Sequence, residues 1–459
     1  MTIQPQQFAT QSLSKISRGD DICKILAAAI RGADAGEAIK RHVSYDPDHL
    51  LIDNRAYDLN IFKRILVIGA GKASLPMAEA MTEILGNKVT TGLVITKLGY
   101  LDPTKYDRQK RIKILEACHP IPDQRNIETS TSLITLISDV HRHDLVILLL
   151  SGGGSALLMR PSPGLSLQEI QSTTALLLKS GASIEEINTI RKHLDTLKGG
   201  GLAKMLAPAT VAALILSDVM GDRLDMIASG PTSADPTTFG EAWAILSKYQ
   251  LVDQVPPQIR QHISCGMDGK IPETLKPGDP ILGKVMNVIV GNNNDALTCS
   301  EHVAKELGFT TKIINSSLQG KAAEGGNELC ESAKTLFRDP DLSVKPTCLF
   351  AGGETTVTVK GGGLGGRNQE FALGAVRALS GPDAMVLISL ATDGIDGLTD
   401  AAGAVATNET YTRGLQLGLV PEEYLHKNDS YHYFEPLGDL VKTGPTSTNV
   451  NDLVFIFSL

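Results

Sequence analysis

Short runs of apolar residues, each closed by Gly, Ser, Asp or Asn and followed by a helix-like stretch, constrain this chain more than any other feature. From Lys63 onward KRILVIGAG leads into KASLPMAEAMTEIL, and TTGLVITK, RIKILEA, DLVILLLSGGG and VAALILSDV follow in the same style. Apolar runs without alternation suit strands buried on both faces, and their succession with helical segments predicts βαβ units around a parallel sheet. Ahead of them, DDICKILAAAIRGADAGEAIKRHV has the apolar spacing of a helix pair. A proline- and glycine-rich stretch, IPETLKPGDPILGK at residues 271–284, reads as a domain boundary. The pattern then resumes with MNVIVGNNNDAL, TTKIINSS, TCLFAGGETTVTV, AMVLISLATDG and DLVFIF. LFAGGETTVTVKGGG reads as two adjacent strands broken by two glycines, so part of this second sheet is expected to be antiparallel. At 459 residues the chain exceeds what one hydrophobic core usually serves. The expected fold is therefore α/β with two α/β domains. Residues 1–283 form a larger Rossmann-like parallel-sheet domain, and residues 284–459 a smaller mixed-sheet domain.

The net charge of −8 offers no basic surplus to neutralise nucleic-acid phosphates, so no nucleic-acid partner is expected. A small anionic substrate needs only a local cluster of cations. The six cysteines are scattered without a C-x-x-C pair, which points to a reducing cytoplasm rather than a disulfide framework or a zinc site. The opening MTIQPQQFATQSLSKISRGDD lacks the apolar core of a signal peptide, and DLVILLL and TVAALILS are too short to span a bilayer. A cytoplasmic protein without a membrane partner is expected, and a homo-oligomer stays open.

Polar clusters follow the strands at Gly69-Ala70-Gly71-Lys72, Ser151-Gly152-Gly153-Gly154-Ser155, Ser217-Asp218, Gly291-Asn292 and Asp393-Gly394. In open α/β sheets ligands gather beyond the carboxyl ends of the strands, so five such clusters point to a site. The turn at Gly69 and Gly71 invites a dinucleotide reading, but Ser74 stands where the third fingerprint glycine belongs. The next strand ends on Lys97 rather than on a ribose-binding acid. Lys72, directly after the turn, suits the charge of a phosphate. Three glycines between Ser151 and Ser155 expose backbone N–H groups to an anion. In SIEEINTIRKHLDTLKGGGLA, Ser183 and Glu186 make a capping box, and Ile187, Ile190, Leu194 and Leu197 a buried stripe. Asp195 reads as a salt-bridge partner, while Arg191 and Lys198 are candidate anion ligands. Asp218 can hold Mg²⁺, accept a proton from a hydroxyl, or cap a helix. Asp393, Asp396 and Asp400 pose a choice between magnesium and a structural turn. His119 reads as a supporting hydrogen-bonding residue.

Residues 351–376, AGGETTVTVKGGGLGGRNQEFALGAV, join a strand, a glycine loop, Arg367 and Asn368, and a helix from Gln369. A mobile loop of this kind can clamp phosphates and bring a guanidinium to a transferring group, with Gly353, Glu354, Gly366, Arg367 and Asn368 in the site.

GAGKAS, HPIPD, LSGGGSALL, INTIRKHLDTLKGGGLA, LSDVMGD, IASGPT, GGETTVTVKGGGLGGRNQE, ATDGIDG and TGPTSTNVNDL, in this order, resemble the class II glycerate kinases. Many members of that family also carry the label hydroxypyruvate reductase. The resemblance runs from about residue 20 to the C-terminus. It implies a two-domain enzyme with its active site in the interdomain cleft, moving the γ-phosphoryl of Mg-ATP to D-glycerate with 2-phosphoglycerate as the favoured product. It also implies Lys72, Asp218 and Arg367 as the catalytic residues. ATP is then the co-substrate and Mg²⁺ the cofactor, with Asp218, Glu354 and Asp393 as candidate metal carboxylates, acting directly or through water. Cys118, Asp195, Gly201 and Met220 depart from the usual family pattern and bear on substrate fit rather than on reaction type. The competing readings are an NAD(P)H-dependent hydroxypyruvate reductase and a non-catalytic nucleotide or sugar-acid sensor.

Overall fold

The computed structural model of this chain describes residues 3–101, 111–343 and 346–459. Three short strands, β1 (Val43–Tyr45), β2 (His49–Ile52) and β3 (Arg55–Asp58), form an antiparallel sheet. Runs of three or four residues are too short to show a period, and the sequence pattern does not announce them. The apolar runs that follow are β4 (Arg64–Ala70), β5 (Thr91–Lys97), β6 (Ile112–Ala117), β7 (Asp144–Leu150), β8 (Thr210–Leu216) and β9 (Val285–Gly291). Among the described residues they build a six-stranded sheet in the order β6-β5-β4-β7-β8-β9, parallel through its first five members. Every residue of β7 is buried, as the unbroken run DLVILLL requires of a strand covered on both faces.

The strand order matters for function. The chain steps outward from β4 to β6, returns to β7 on the other side of β4, and steps outward again. The crevice between β4 and β7 is thus a topological switch point, where parallel sheets of this class collect ligands. Register aligns the carboxyl ends, because Ala70 pairs with Leu150 and Leu150 with Ile215. Lys72, Ser151 and Asp218 consequently leave the sheet along one edge.

The second sheet contains β10 (Thr310–Leu318), β11 (Thr347–Gly353), β12 (Met385–Ala391), β13 (Gly403–Thr407), β14 (Leu440–Val441) and β15 (Asp452–Ser458). Its order is β10-β11-β15-β12-β13-β14, with β10 and β11 parallel and the remaining pairs antiparallel. The last strand of the chain therefore lies in the middle of the sheet. Its first residue, Asp452, pairs with both Gly353 and Ala391, at the carboxyl ends of β11 and β12.

The expected second strand after Gly353 is absent. Thr356 makes only an isolated bridge to Lys321, and TVTV runs on as extended loop because no neighbouring strand is there to pair with it. The helix after the loop begins at Arg367 and ends at Leu379. It crosses the helix Ala322–Leu336 at very short range. A Cβ on Gly326 would lie 2.0 Å from Phe371 O, and one on Gly374 would lie 2.1 Å from Ala323 O. Two glycines thus set the seat of the helix that presents Arg367.

Packing divides the chain into two compact units, Ala35–Val290 and Gly291–Leu459, the second joined by the residues up to Asp34. The division differs from 1–283 and 284–459 in two respects. Strand β9 completes the first sheet, and the helix Gly19–Gly32 packs on the helix Asn293–Glu306, where a Cβ on Gly32 would meet Cys299 Cβ at 2.7 Å. Among the described residues no helix is long and apolar enough to cross a membrane.

Candidate active site

The first unit assembles its candidate residues by the turns that leave β4, β6, β7 and β8. Gly71 has φ +146°, and a Cβ there would strike Ser151 Oγ at 2.0 Å, so the β4 turn and the β7 turn lie in direct contact. The amides of the β4 turn are all taken: Gly71 N donates to Ile95 O at the end of β5, Lys72 N to Gly152 O and Ala73 N to Ser151 Oγ. Ser74 Oγ donates to Gly71 O and is also 3.0 Å from Ile95 O. The turn at Gly69 and Gly71 therefore offers no run of free N–H groups to a pyrophosphate. Its glycines serve close packing, as does Gly69, whose Cβ would lie 2.6 Å from Leu149 O. This corrects the expectation that Gly69 and Gly71 bind phosphate through their backbone.

The free donors are one turn away. Among the described residues, the amides of Gly152 and Gly153 donate to no other group. Gly154 N is taken by Ser151 O, and Ser155 Oγ is 2.8 Å from Ser229 Oγ, which is in turn bonded to Asn188 Oδ1. Gly153 has φ +82°, and a Cβ on it would meet His119 Cδ2 at 2.9 Å and Lys72 Cγ at 3.3 Å. Glycine is required here to let a histidine and a lysine approach the same backbone.

Beside this turn is a cavity of about 380 Å³ lined by His119, Ser155, Met159, Ile170 and Arg191 among others. Burial, then the nearby Lys72 and Lys97, push the His119 imidazole down to about 4, so the ring is neutral at pH 7. Arg191 is the notable lining group. Burial pulls its guanidinium below the ordinary arginine range, and among the described residues it forms no hydrogen bond or ion pair. A half-buried guanidinium without a counter-ion is costly unless an anionic ligand supplies one.

Lys198 does not share that role. Its buried ammonium donates to Leu158 O at 2.7 Å and to Asp195 Oδ2 at 2.8 Å, and it lines a different cavity from Arg191. Asp195 also accepts from Arg160 N and Leu197 N, so the pair is a structural lock between two segments. The capping box at Ser183 and Glu186 and the buried stripe from Ile187 to Leu197 are present as the sequence pattern predicts.

In the second unit Arg367 opens its helix and is gripped by two carboxylates. Its Nε is 2.6 Å from Asp452 Oδ2, outside hydrogen-bond alignment, while Nη2 donates to Asp452 Oδ1 at 3.2 Å and Nη1 pairs with Glu354. Asn368 Nδ2 donates to the same Asp452 oxygen at 2.9 Å, and Asn368 Oδ1 accepts from Ser389 Oγ at 2.7 Å. Burial raises the Asp452 carboxyl well above the usual range, even against the pull of Arg367. Asp396 caps the helix from outside, accepting from Asn368 N at 3.1 Å and Gln369 N at 2.9 Å. Of the roles open to Asp396, this is the structural one.

Hydrogen bonds tie the glycine loop to residues 427–429. Lys360 N and Gly361 N donate to Asn428 Oδ1, Gly363 N to Lys427 O, and Leu364 N to Asp429 Oδ1. Cβ atoms on Gly361, Gly363, Gly365 and Gly366 would come within 2.2–2.4 Å of Lys427 O, Asp429 Cβ, Ser430 Oγ and Asp396 Cγ respectively. Gly361, Gly363 and Gly365 let the loop lie flat on residues 427–430, and Gly366 lets it close on Asp396.

Residues 21–264 match the family described as a domain of unknown function (DUF4147), and residues 347–452 match the MOFRL family. The chain is 40% identical over 432 residues to a glycerate 2-kinase of Pyrococcus horikoshii, covering 94% of this chain and 95% of that one. This chain belongs to the class II glycerate kinase family. A D-glycerate 2-kinase of Thermotoga maritima is 44% identical over 392 residues, 85% of this chain and 90% of the relative. The crystal structure of a Thermotoga maritima glycerate kinase superposes with a TM-score of 0.82 at 40% identity, covering 95% of this chain and 98% of that one. Two relatives from Agrobacterium vitis are named only provisionally, as hydroxypyruvate reductases.

For a class II glycerate kinase, magnesium is the natural companion of the donor nucleotide, yet the described residues do not assemble a site for it. No group of three or more His, Cys, Asp or Glu among them is placed to hold a metal ion. Glu354 is engaged by Arg367, and Asp393 Oδ1 accepts from Ile395 N. Two residues of this family member were under-read from sequence. His119 reaches the wall of the Arg191 cavity, although nothing in HPIPD links it to Gly153. Asp452 sits inside the motif TGPTSTNVNDL, but its link to Arg367 spans 85 residues and leaves no local signal.

Proposed function

We propose that this chain transfers the γ-phosphoryl group of Mg-ATP to a hydroxyl of D-glycerate, giving 2-phosphoglycerate and ADP. The observation that carries the reading is Arg191, a half-buried guanidinium without a counter-ion that lines a cavity beside the free amides of Gly152 and Gly153. That arrangement suits an anionic small molecule. In this reading Arg191 binds the substrate carboxylate, and Lys72 and Arg367 neutralise charge on the transferring phosphoryl. Asp218 takes the proton of the attacking hydroxyl as its oxygen bonds to the γ-phosphorus and the bridging oxygen leaves with ADP. Ser151 and Ser155 position the glycine turn, while Gly353, Glu354, Gly366 and Asn368 hold Arg367 in place. Magnesium comes with the nucleotide phosphates by its own affinity for them. The six free thiols fit a reducing cytoplasm as the place of action.

The reductase reading is disfavoured by the β4 turn, whose amides at Gly71, Lys72 and Ala73 are all bonded within the protein. The deciding experiment is ³¹P NMR of the protein with ATP, Mg²⁺ and D-glycerate. A 2-phosphoglycerate resonance is expected, and a 3-phosphoglycerate resonance would overturn the regiochemistry alone. Intact ATP, with NADPH consumed in the presence of hydroxypyruvate, would overturn the kinase.

A further inference from the structure

A second cavity, of about 600 Å³, lies wholly within the second unit and is lined by Arg367 and Glu370. Its volume is far beyond the ~100 Å³ of a three-carbon acid, taken as three or four waters' worth of space. Its walls carry apolar side chains from two segments: Val357, Val359 and Leu364 on the glycine-loop side, Ile395 and Leu398 on the other. Leu398 is 94% exposed and Val359 74%, so these groups stand in water where a flat apolar ligand would cover them. Small-molecule sites combine such walls with few, well-placed polar groups.

Glu370 is the polar group that needs an explanation. It is only 8% exposed, and its side chain has one hydrogen-bond donor among the described residues, Asn428 Nδ2 at 3.1 Å from Oε2. Oε1 has none, and the residue lines the cavity. A nearly buried carboxylate oxygen aimed at a cavity calls for a donor from the ligand. At the same cavity, Arg367 keeps N–H donors on Nη1 and Nη2 beyond those given to Glu354 and Asp452, suited to phosphate oxygens.

We propose that this cavity binds the nucleobase of the phosphoryl donor, with Glu370 Oε1 accepting from the exocyclic amine of adenine. The proposal rests on the kinase reading and names the donor site within it. Hypoxanthine presents a carbonyl where adenine has the amine, so a carboxylate that binds one repels the other. A glutamine can turn its amide to serve either.

The test compares KM for ATP, ITP and D-glycerate in the wild type, Glu370→Gln and Leu398→Asp. Wild type is expected to have a KM for ATP at least about tenfold below that for ITP, the order that one net hydrogen bond supplies. Glu370→Gln narrows that gap, and Leu398→Asp raises the KM for ATP at least about tenfold without changing that for D-glycerate. Equal use of ATP and ITP by the wild type overturns the proposal, as does a rise in the D-glycerate KM alone. If no donor supports phosphoryl transfer, the kinase reading falls. Calorimetric binding of ADP then decides the cavity: loss of binding in Leu398→Asp sustains it, and unchanged or absent binding overturns it.

Discussion

Arg367 Nε lies 2.6 Å from Asp452 Oδ2, and the two residues come from opposite directions, one from a helix start and the other from the start of a central antiparallel strand. The antiparallel setting of β15 is what delivers a carboxylate to the carboxyl ends of β11 and β12. Asp452 is buried and its oxygens meet Arg367 and Asn368, a placement suited to aiming the guanidinium. Asp452→Asn is expected to lower kcat at least tenfold with little change in either KM. In an Arg367→Ala background the same change adds nothing, because its effect runs through the arginine. Steady-state kinetics on the four proteins checks this, and additive losses would separate the two residues.

Arg191 pays a desolvation penalty that only a bound anion offsets. Arg191→Met should raise the KM for D-glycerate at least tenfold while leaving the thermal midpoint unchanged or higher. A lowered midpoint with normal KM would make the arginine a packing residue. Opposed effects on stability and function are the mark of a site residue.

Lys198 behaves in the opposite way. Lys198→Met leaves Asp195 buried with only backbone donors, and breaking a buried pair costs about 3–5 kcal/mol. Denaturant unfolding is expected to show that loss, while KM values of the remaining folded enzyme stay near wild type. A KM change at unaltered stability would return Lys198 to the site.

What was legible in the sequence follows the range of each interaction. Strands β4, β7 and β8 announce themselves as nearly unbroken apolar runs, and the capping box at Ser183 is visible because its partner Glu186 is three residues away. The position of β15 is not visible, since a strand's periodicity carries no information on its neighbours. TVTV has the alternation of a strand and none of its pairing, because alternation records side-chain pattern and a strand needs a partner. Among candidate site residues, Arg191 and Arg367 each line a cavity. Lys198 was misread because its partners, Leu158 and Asp195, are brought to it by the fold.

His119 gives the molecule a defined acid response. Its imidazole is held down to about 4 against an ordinary 6.5, by burial first and by Lys72 and Lys97 next. Between these values the unfolded chain binds a proton that the folded chain does not, so stability is full above 6.5 and falls as pH drops toward 4. Urea unfolding at pH 7 and pH 5 should show a smaller difference for His119→Gln than for the wild type. An equal difference in the two proteins would mean the imidazole titrates normally.

The glycine loop distinguishes packing from flexibility. Alanine at Gly361 would place Cβ 2.2 Å from Lys427 O, and at Gly363 2.4 Å from Asp429 Cβ, whereas at Gly362 it would meet nothing within 4 Å. If the glycines serve close approach, Gly361→Ala and Gly363→Ala cost about 1–3 kcal/mol through overpacking. Gly362→Ala then stays within about 0.5 kcal/mol, as a surface change away from such contacts does. A loop chosen for freedom of motion predicts otherwise: all three alanines would slow turnover alike and leave stability untouched or raised. Thermal midpoints and kcat for the three variants separate the accounts. The pinning of Gly361 and Gly363 by Asn428 and Lys427 favours the first, because a loop held by backbone hydrogen bonds loses them before it can move.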